Sequence, residues 1–158
     1  MHGLSDMGSI IPWSSIVARG ACSARGARAR AAPPPRLLIV EENRKLRAAV
    51  LELLTERALT GALAADGTAV IRQLTHAFEE GDPLTAADLV VVDVDSAGRS
   101  GLDILTTARE RAWPVRVALT AATPGPTLRA AVLAMGAVAL LSRPFTAGAW
   151  RSLLRALT

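Results

Sequence analysis

The chain is expected to fold as an α/β protein, a doubly wound parallel sheet with helices on both faces. Three observations lead there. Short apolar stretches alternate with helical, amphipathic stretches throughout residues 36–158. The apolar stretches, such as "RLLIV" (36–40) and "LVVVD" (89–93), lack the polar alternation of a half-solvated sheet, so both of their faces are to be covered. Successive apolar stretches are separated by helix-length segments, which parallel pairing requires and hairpins do not.

The elements follow in order. "RLLIV" (36–40) is a short buried strand. "RKLRAAVLELLTER" (44–57) carries Leu46, Val50, Leu53 and Leu54 at helical spacing with charges elsewhere. "TGALAA" (60–65) is a weak strand, and "GTAVIRQLTHAFEE" (67–80) sets Val70, Leu74 and Phe78 on one helical face. A loop at 80–88 leads to the strand 89–93, and the helix 101–112 follows. "VRVALT" (115–120) is a strand, then 125–135 a helix with Pro126 in its first turn and Gly136 after its end. "VALL" (138–141) is the last strand, and 146–157 the last helix, with Trp150, Leu153, Leu154 and Leu157 on one face. Five strands and five helices result.

At 158 residues the chain is expected to hold one domain, residues 36–158, preceded by a disordered Arg-, Ala- and Pro-rich extension at 1–35. Residues 1–35 contain four arginines (Arg19, Arg25, Arg28, Arg30) against Asp6 alone, so the net charge of +4 comes mostly from that extension. Its acid-poor makeup also mimics a transit peptide, against the plainer readings of a loose tail or a start codon placed too early. The remainder, with 14 basic and 13 acidic residues, is nearly neutral, which argues against nucleic-acid binding by the folded part. A single cysteine, Cys22, excludes an internal disulfide framework and fits a cytoplasmic setting. With only His2 and His76, a histidine-rich metal site is excluded, and His76 is expected to be simply solvated. The apolar run 130–142 is too short to span a membrane and is broken by Gly136.

In a doubly wound sheet, ligands bind beyond the carboxyl ends of the strands. Glu41 and Glu42 stand after the first strand, Asp93 and Asp95 at the third, Thr120 at the fourth, and Ser142, Arg143 and Pro144 after the fifth. Carboxylates crowded together repel each other unless a cation joins them, and a small, open oxygen site suits Mg²⁺. A carboxylate beside such a cation can attack phosphorus, Thr120 can hydrogen-bond a phosphoryl oxygen, and Arg143 can pair with another.

Four stretches in this order, "LLIVEEN", "DLVVVDVDSAGRSG", "VALTA" and "LLSRPF", resemble the receiver domain of two-component response regulators, over the whole chain except the extension. The resemblance implies a flavodoxin-like sheet of strand order 2-1-3-4-5. It implies that Asp93 is the phosphoacceptor, taking its phosphoryl group from a histidine kinase or a histidine phosphotransfer protein. Mg²⁺ would be held by Glu42, Asp93 and the backbone carbonyl of Asp95, with Glu41 acting through water. Thr120 would be the switch hydroxyl, Arg143 would occupy the lysine position, and Pro144 would follow a cis bond. The chain departs from the family pattern at four places: Glu42 stands for an aspartate, Arg143 for the lysine, Ala97 for a loop proline, and Leu140 for an aromatic that rotates on activation.

Because the sequence stops at Thr158, directly after the last helix, output is expected through a partner protein. The surface for it is the face of the fourth helix, fifth strand and fifth helix, near Leu128, Val132, Leu140, Trp150 and Arg151, which could also serve a homodimer. The expected function is a stand-alone, cytoplasmic receiver in a bacterial-type phosphorelay, not an enzyme. The competing reading is a pseudo-receiver that binds partners without phosphorylation. A hydrolase of the phosphoaspartate type shares the sheet-end acids but would need a cap insertion and a second catalytic aspartate. The plainer alternatives are that Asp93 caps a strand end and that Glu41 and Glu42 only complement a helix dipole.

Overall fold

The computed structural model describes residues 35–42, 47–48, 51–52, 54–55, 59–143 and 147–155, without the side chains of 147, 150 and 154. Five strands form one parallel sheet: β1 (Arg36–Val40), β2 (Thr60–Ala64), β3 (Leu89–Asp93), β4 (Arg116–Ala121) and β5 (Ala139–Ser142). Their order is β2-β1-β3-β4-β5, as expected. Four helices have complete bounds: α1 (Gly67–Phe78), α2 (Gly101–Glu110), α3 (Pro126–Ala134) and α4 (Ala147–Arg155). The described residues 47–48, 51–52 and 54–55 are also helical, inside the stretch where the first of five helices was expected. The expected extension at 1–35 lies outside the described residues except for Pro35.

The unbroken apolar strands divide by a period of two, because successive side chains point to opposite faces. Leu38, Val40, Val90, Val92, Val117 and Leu119 pack with Val70 and Leu74 of α1, Ile104 and Leu105 of α2, and Val132 of α3. Leu37, Ile39, Leu63, Leu89, Val91 and Ala118 pack on the other face with Leu54 and with Leu153 of α4. Both faces are therefore covered, which is why no polar alternation was visible along the strands.

The helix ends are set by local chemistry. The Asp66 side chain accepts the Ala69 amide hydrogen and caps α1. Ser100 caps α2 through a reciprocal pair in which its hydroxyl accepts the Asp103 amide and Asp103 accepts the Ser100 amide. That helix ends at Glu110, two residues before its expected end, because Ala112 turns to the left-handed region at φ 51°. Among the described residues no helix is long and apolar enough to cross a membrane.

Candidate functional site

Parallel pairing puts the carboxyl ends of all five strands at one edge of the sheet, and the register decides which side chains meet there. Asp93 is paired with Thr120 across β3 and β4, and Ala121 with Ser142 across β4 and β5. Arg143, the next residue, donates its amide to the Ala121 carbonyl at 3.0 Å and so leaves the sheet beside Thr120. The Thr120 hydroxyl donates to Asp93 Oδ2 at 3.0 Å, and Arg143 Nε lies 3.2 Å from the same oxygen. The Asp93 side chain is 15% exposed and that of Arg143 38%, so the acid sits in a shallow mouth with the cation at its rim.

The other Asp93 oxygen, Oδ1, accepts the Asp95 amide at 2.9 Å. The Asp95 side chain is exposed and plays no part in that bond. Glu41 is buried, 6% exposed, with its amide turned to the Ala64 carbonyl at the end of β2. Glu42 is exposed, and its Oε1 accepts the Ala97 amide at 3.0 Å. The Ala97 carbonyl in turn accepts the Gly67 amide at 3.1 Å, at the start of α1. The loop after β3 is thus held from two sides. It also packs so closely on α1 that a Cβ on Gly67 would collide with the Arg99 carbonyl, and Gly98 takes a φ of +74° against Thr68.

Three sequence-predicted residues, Asp93, Thr120 and Arg143, therefore meet directly, and Asp95 joins them through its backbone amide instead of the expected carbonyl. Sequence reasoning missed the loop clasp made by Glu42, Ala97 and Gly67, although the glycines at 67 and 98 flanked it. It also missed the Ser96 hydroxyl, which is buried next to Asp95 and has no hydrogen-bond partner among the described residues. His76 is exposed but not merely solvated: one ring nitrogen meets Glu80 and the other lies 3.2 Å from Asp82. Pro144 and the Trp150 side chain lie outside the described residues.

The model of the response regulator receiver domain matches residues 37–155. The chain belongs to that family. Solved structures share its fold. A signal receiver domain from Vibrio parahaemolyticus superposes with a TM-score of 0.67 at 20% identity, covering 79% of this chain and 91% of that one. The Francisella response regulator 1452 receiver domain gives 0.65 at 18% identity, covering 78% and 95%. The Vibrio cholerae chemotaxis protein CheY4 gives 0.65 at 19% identity, covering 80% and all of that chain. No curated protein matches the chain.

For a receiver site, Mg²⁺ is the cation to weigh against the residues present. The donor chemistry is suitable, since Glu41, Glu42, Asp93 and Asp95 all offer hard oxygens. In this arrangement the Glu42 and Asp93 carboxylates are turned to protein partners. Among the described residues no three His, Cys, Asp or Glu side chains are gathered so that they could hold a metal ion. Glu42 gives its Oε1 to the Ala97 amide, and both Asp93 oxygens have protein partners.

The expected partner face needs a correction. Val132 and Leu140 are 0% and 2% exposed and belong to the core, so neither can face a partner. Val132 is the side chain that α3 turns inward onto the sheet, and Leu140 is a buried strand residue of β5. Leu128 is half-buried, Arg151 is exposed, and Leu133, absent from the expected set, is the exposed large apolar residue of α3.

Proposed function

We propose that this receiver domain accepts a phosphoryl group on Asp93 and signals through a partner protein bound on the α3–β5–α4 side. The observation that carries the reading is the convergence on Asp93 Oδ2 of the Thr120 hydroxyl and the Arg143 guanidinium. A phosphoryl group arriving on this acid would meet a hydrogen-bond donor and a cation already in place, which is what a transferred phosphoryl needs.

In the transfer, an Asp93 carboxylate oxygen attacks the phosphorus of a phosphohistidine on the donor protein. The O–P bond forms as the P–N bond breaks, and the imidazole leaves with the electron pair and takes a proton from water. Arg143 balances the phosphoryl charge as a planar fork. Thr120, shared between the acid and the end of β4, follows the new oxygens, so the change on Asp93 reaches β4 and β5. A two-state shift of this side of the sheet would be the output.

A second reading, a pseudo-receiver that binds partners without phosphorylation, draws on a different observation. Asp95, Thr120 and Arg143 already engage both oxygens of Asp93, so its charge is compensated without a phosphoryl group. Incubation of the protein with an acyl phosphate, read by intact mass beside Asp93→Asn, separates the two. An adduct on the wild type and none on the variant is expected. The same mass for both, at every Mg²⁺ concentration, sinks phosphoacceptance in favour of the second reading.

A further inference from the structure

Glu42 and Ala97 are 55 residues apart in the chain, yet the Glu42 carboxylate accepts the Ala97 amide hydrogen at 3.0 Å. That bond has two chemical requirements. The side chain at 42 must be long enough to reach the loop from the end of β1, and the residue at 97 must own an N–H. A proline at 97 has none, so it could not make the bond. The Ala97 carbonyl is used as well, by the Gly67 amide at 3.1 Å, so one residue ties the loop to the end of β1 and to α1 at once. The loop's first residues are held from a third direction, since the Ser96 amide donates to the Asp93 carbonyl at 3.1 Å.

We propose that Glu42 is a latch for the 94–100 loop, held on the Ala97 amide, and not a ligand for a divalent cation. Arg143, at 3.2 Å from Asp93 Oδ2, then supplies the positive charge at the acid. The inference rests on the reading of this edge as the receiver site, but it concerns how Glu42 is used there. A cation that took Oε1 would cost the loop a charge-assisted hydrogen bond, so cation binding and the latch compete for that oxygen. Glu42 is a positioning residue, acting on Asp93 through the loop that carries the Asp95 amide.

The test uses the full chain and two readouts that need no phosphoryl transfer: Mn²⁺ binding, followed by loss of the free-ion resonance signal, and hydrogen exchange at the Ala97 amide. Glu42→Gln keeps an acceptor oxygen but no charge, and Glu42→Ala keeps neither. A latch predicts that Glu42→Gln preserves both Ala97 protection and the wild-type Mn²⁺ affinity, and that Glu42→Ala speeds Ala97 exchange by about tenfold with the affinity unchanged. It also predicts that Ala97→Pro, which frees the carboxylate, tightens Mn²⁺ binding by about tenfold, and that adding Glu42→Ala cancels the gain. If Ala97→Pro fails to fold, the two Glu42 variants still decide. A wild type whose Mn²⁺ binding drops tenfold or more in Glu42→Gln, or an Ala97 amide indifferent to Glu42→Ala, overturns the latch. Phosphoacceptance would be untouched by either result, because the mass measurement on Asp93 decides it separately.

Discussion

Thr120 acts from inside the core: it is buried under the sheet edge and spends its hydroxyl on Asp93. Thr120→Val keeps the volume and removes the donor. Asp93 Oδ2 still has Arg143, so the cost is expected near the low end for a bond to a charged group, about 1.5 kcal/mol in urea unfolding. A loss above about 3 kcal/mol would mean that the hydroxyl holds more than Asp93. His76 titrates at the surface. Its hydrogen bond to Glu80 raises its pKa above 6.5, and the charges of Glu80 and Asp82 add to the effect against an opposing desolvation. A raised folded-state pKa means that the imidazolium stabilises the fold fully below the unfolded value of about 6.5 and loses that contribution as pH rises through the folded value. The stability advantage of wild type over His76→Gln is therefore expected to be largest near pH 6 and to shrink towards pH 8. Equal gaps at both ends would show that the two carboxylate contacts carry no charge.

Among the elements, the junction between α1 and the β3–α2 loop has the least room. Gly67 opens α1, donates its amide to Ala97 and leaves no space for a Cβ against the Arg99 carbonyl. Backbone cannot rotate away as a side chain can, so Gly67→Ala is expected to cost at least about 1–3 kcal/mol and to loosen the loop beside Asp93. Gly125→Ala, with nothing within 4 Å of the added carbon, is the control and is expected to be near neutral. A Gly67→Ala protein as stable as the control would mean that the loop shifts freely. The helices themselves were legible because their signals are local. Pro126 reads as a first-turn residue and Gly136 as the residue that ends the helix, while the Ser100–Asp103 capping box was not anticipated. Ends were less so. The α2 stretch was expected to reach 112 and stops at 110, since nothing in an Ala-Arg-Glu-Arg-Ala run announces that Ala112 will turn left-handed so that Trp113 can enter the core.

Across the fold as a unit, the two faces of the sheet are closed by different helices, and α3 closes its side with Val132 as its one buried residue. Leu133 is left exposed beside alanines at 130, 131 and 134. If phosphorylated Asp93 signals through a second copy of the chain on this side, sedimentation of acyl-phosphate-treated protein is expected to show dimers that Leu133→Asp abolishes. Monomers under both conditions would remove the homodimer and leave a different partner protein. The exposed or buried state of a residue on such a helix is a global property. The expected partner face grouped Leu128 with Val132, but packing against the sheet buries Val132 fully and Leu128 only in part.

The order of residues was enough to place a parallel sheet, the strand that ends on Asp93, and Thr120 and Arg143 at the same sheet edge. Those follow from apolar periodicity, crossover length and the residues that stand at strand ends, all of which are local in the chain. The use made of Glu42 was not legible in the same way. A carboxylate at the end of β1 can meet a cation, a helix terminus or a loop amide, and one sequence is compatible with all three. The choice was made by a contact across 55 residues, where Ala97 presents an N–H within 3.0 Å. Hydrogen bonds of that kind depend on distance and direction in space, and neither is written in the spacing of residues along the chain.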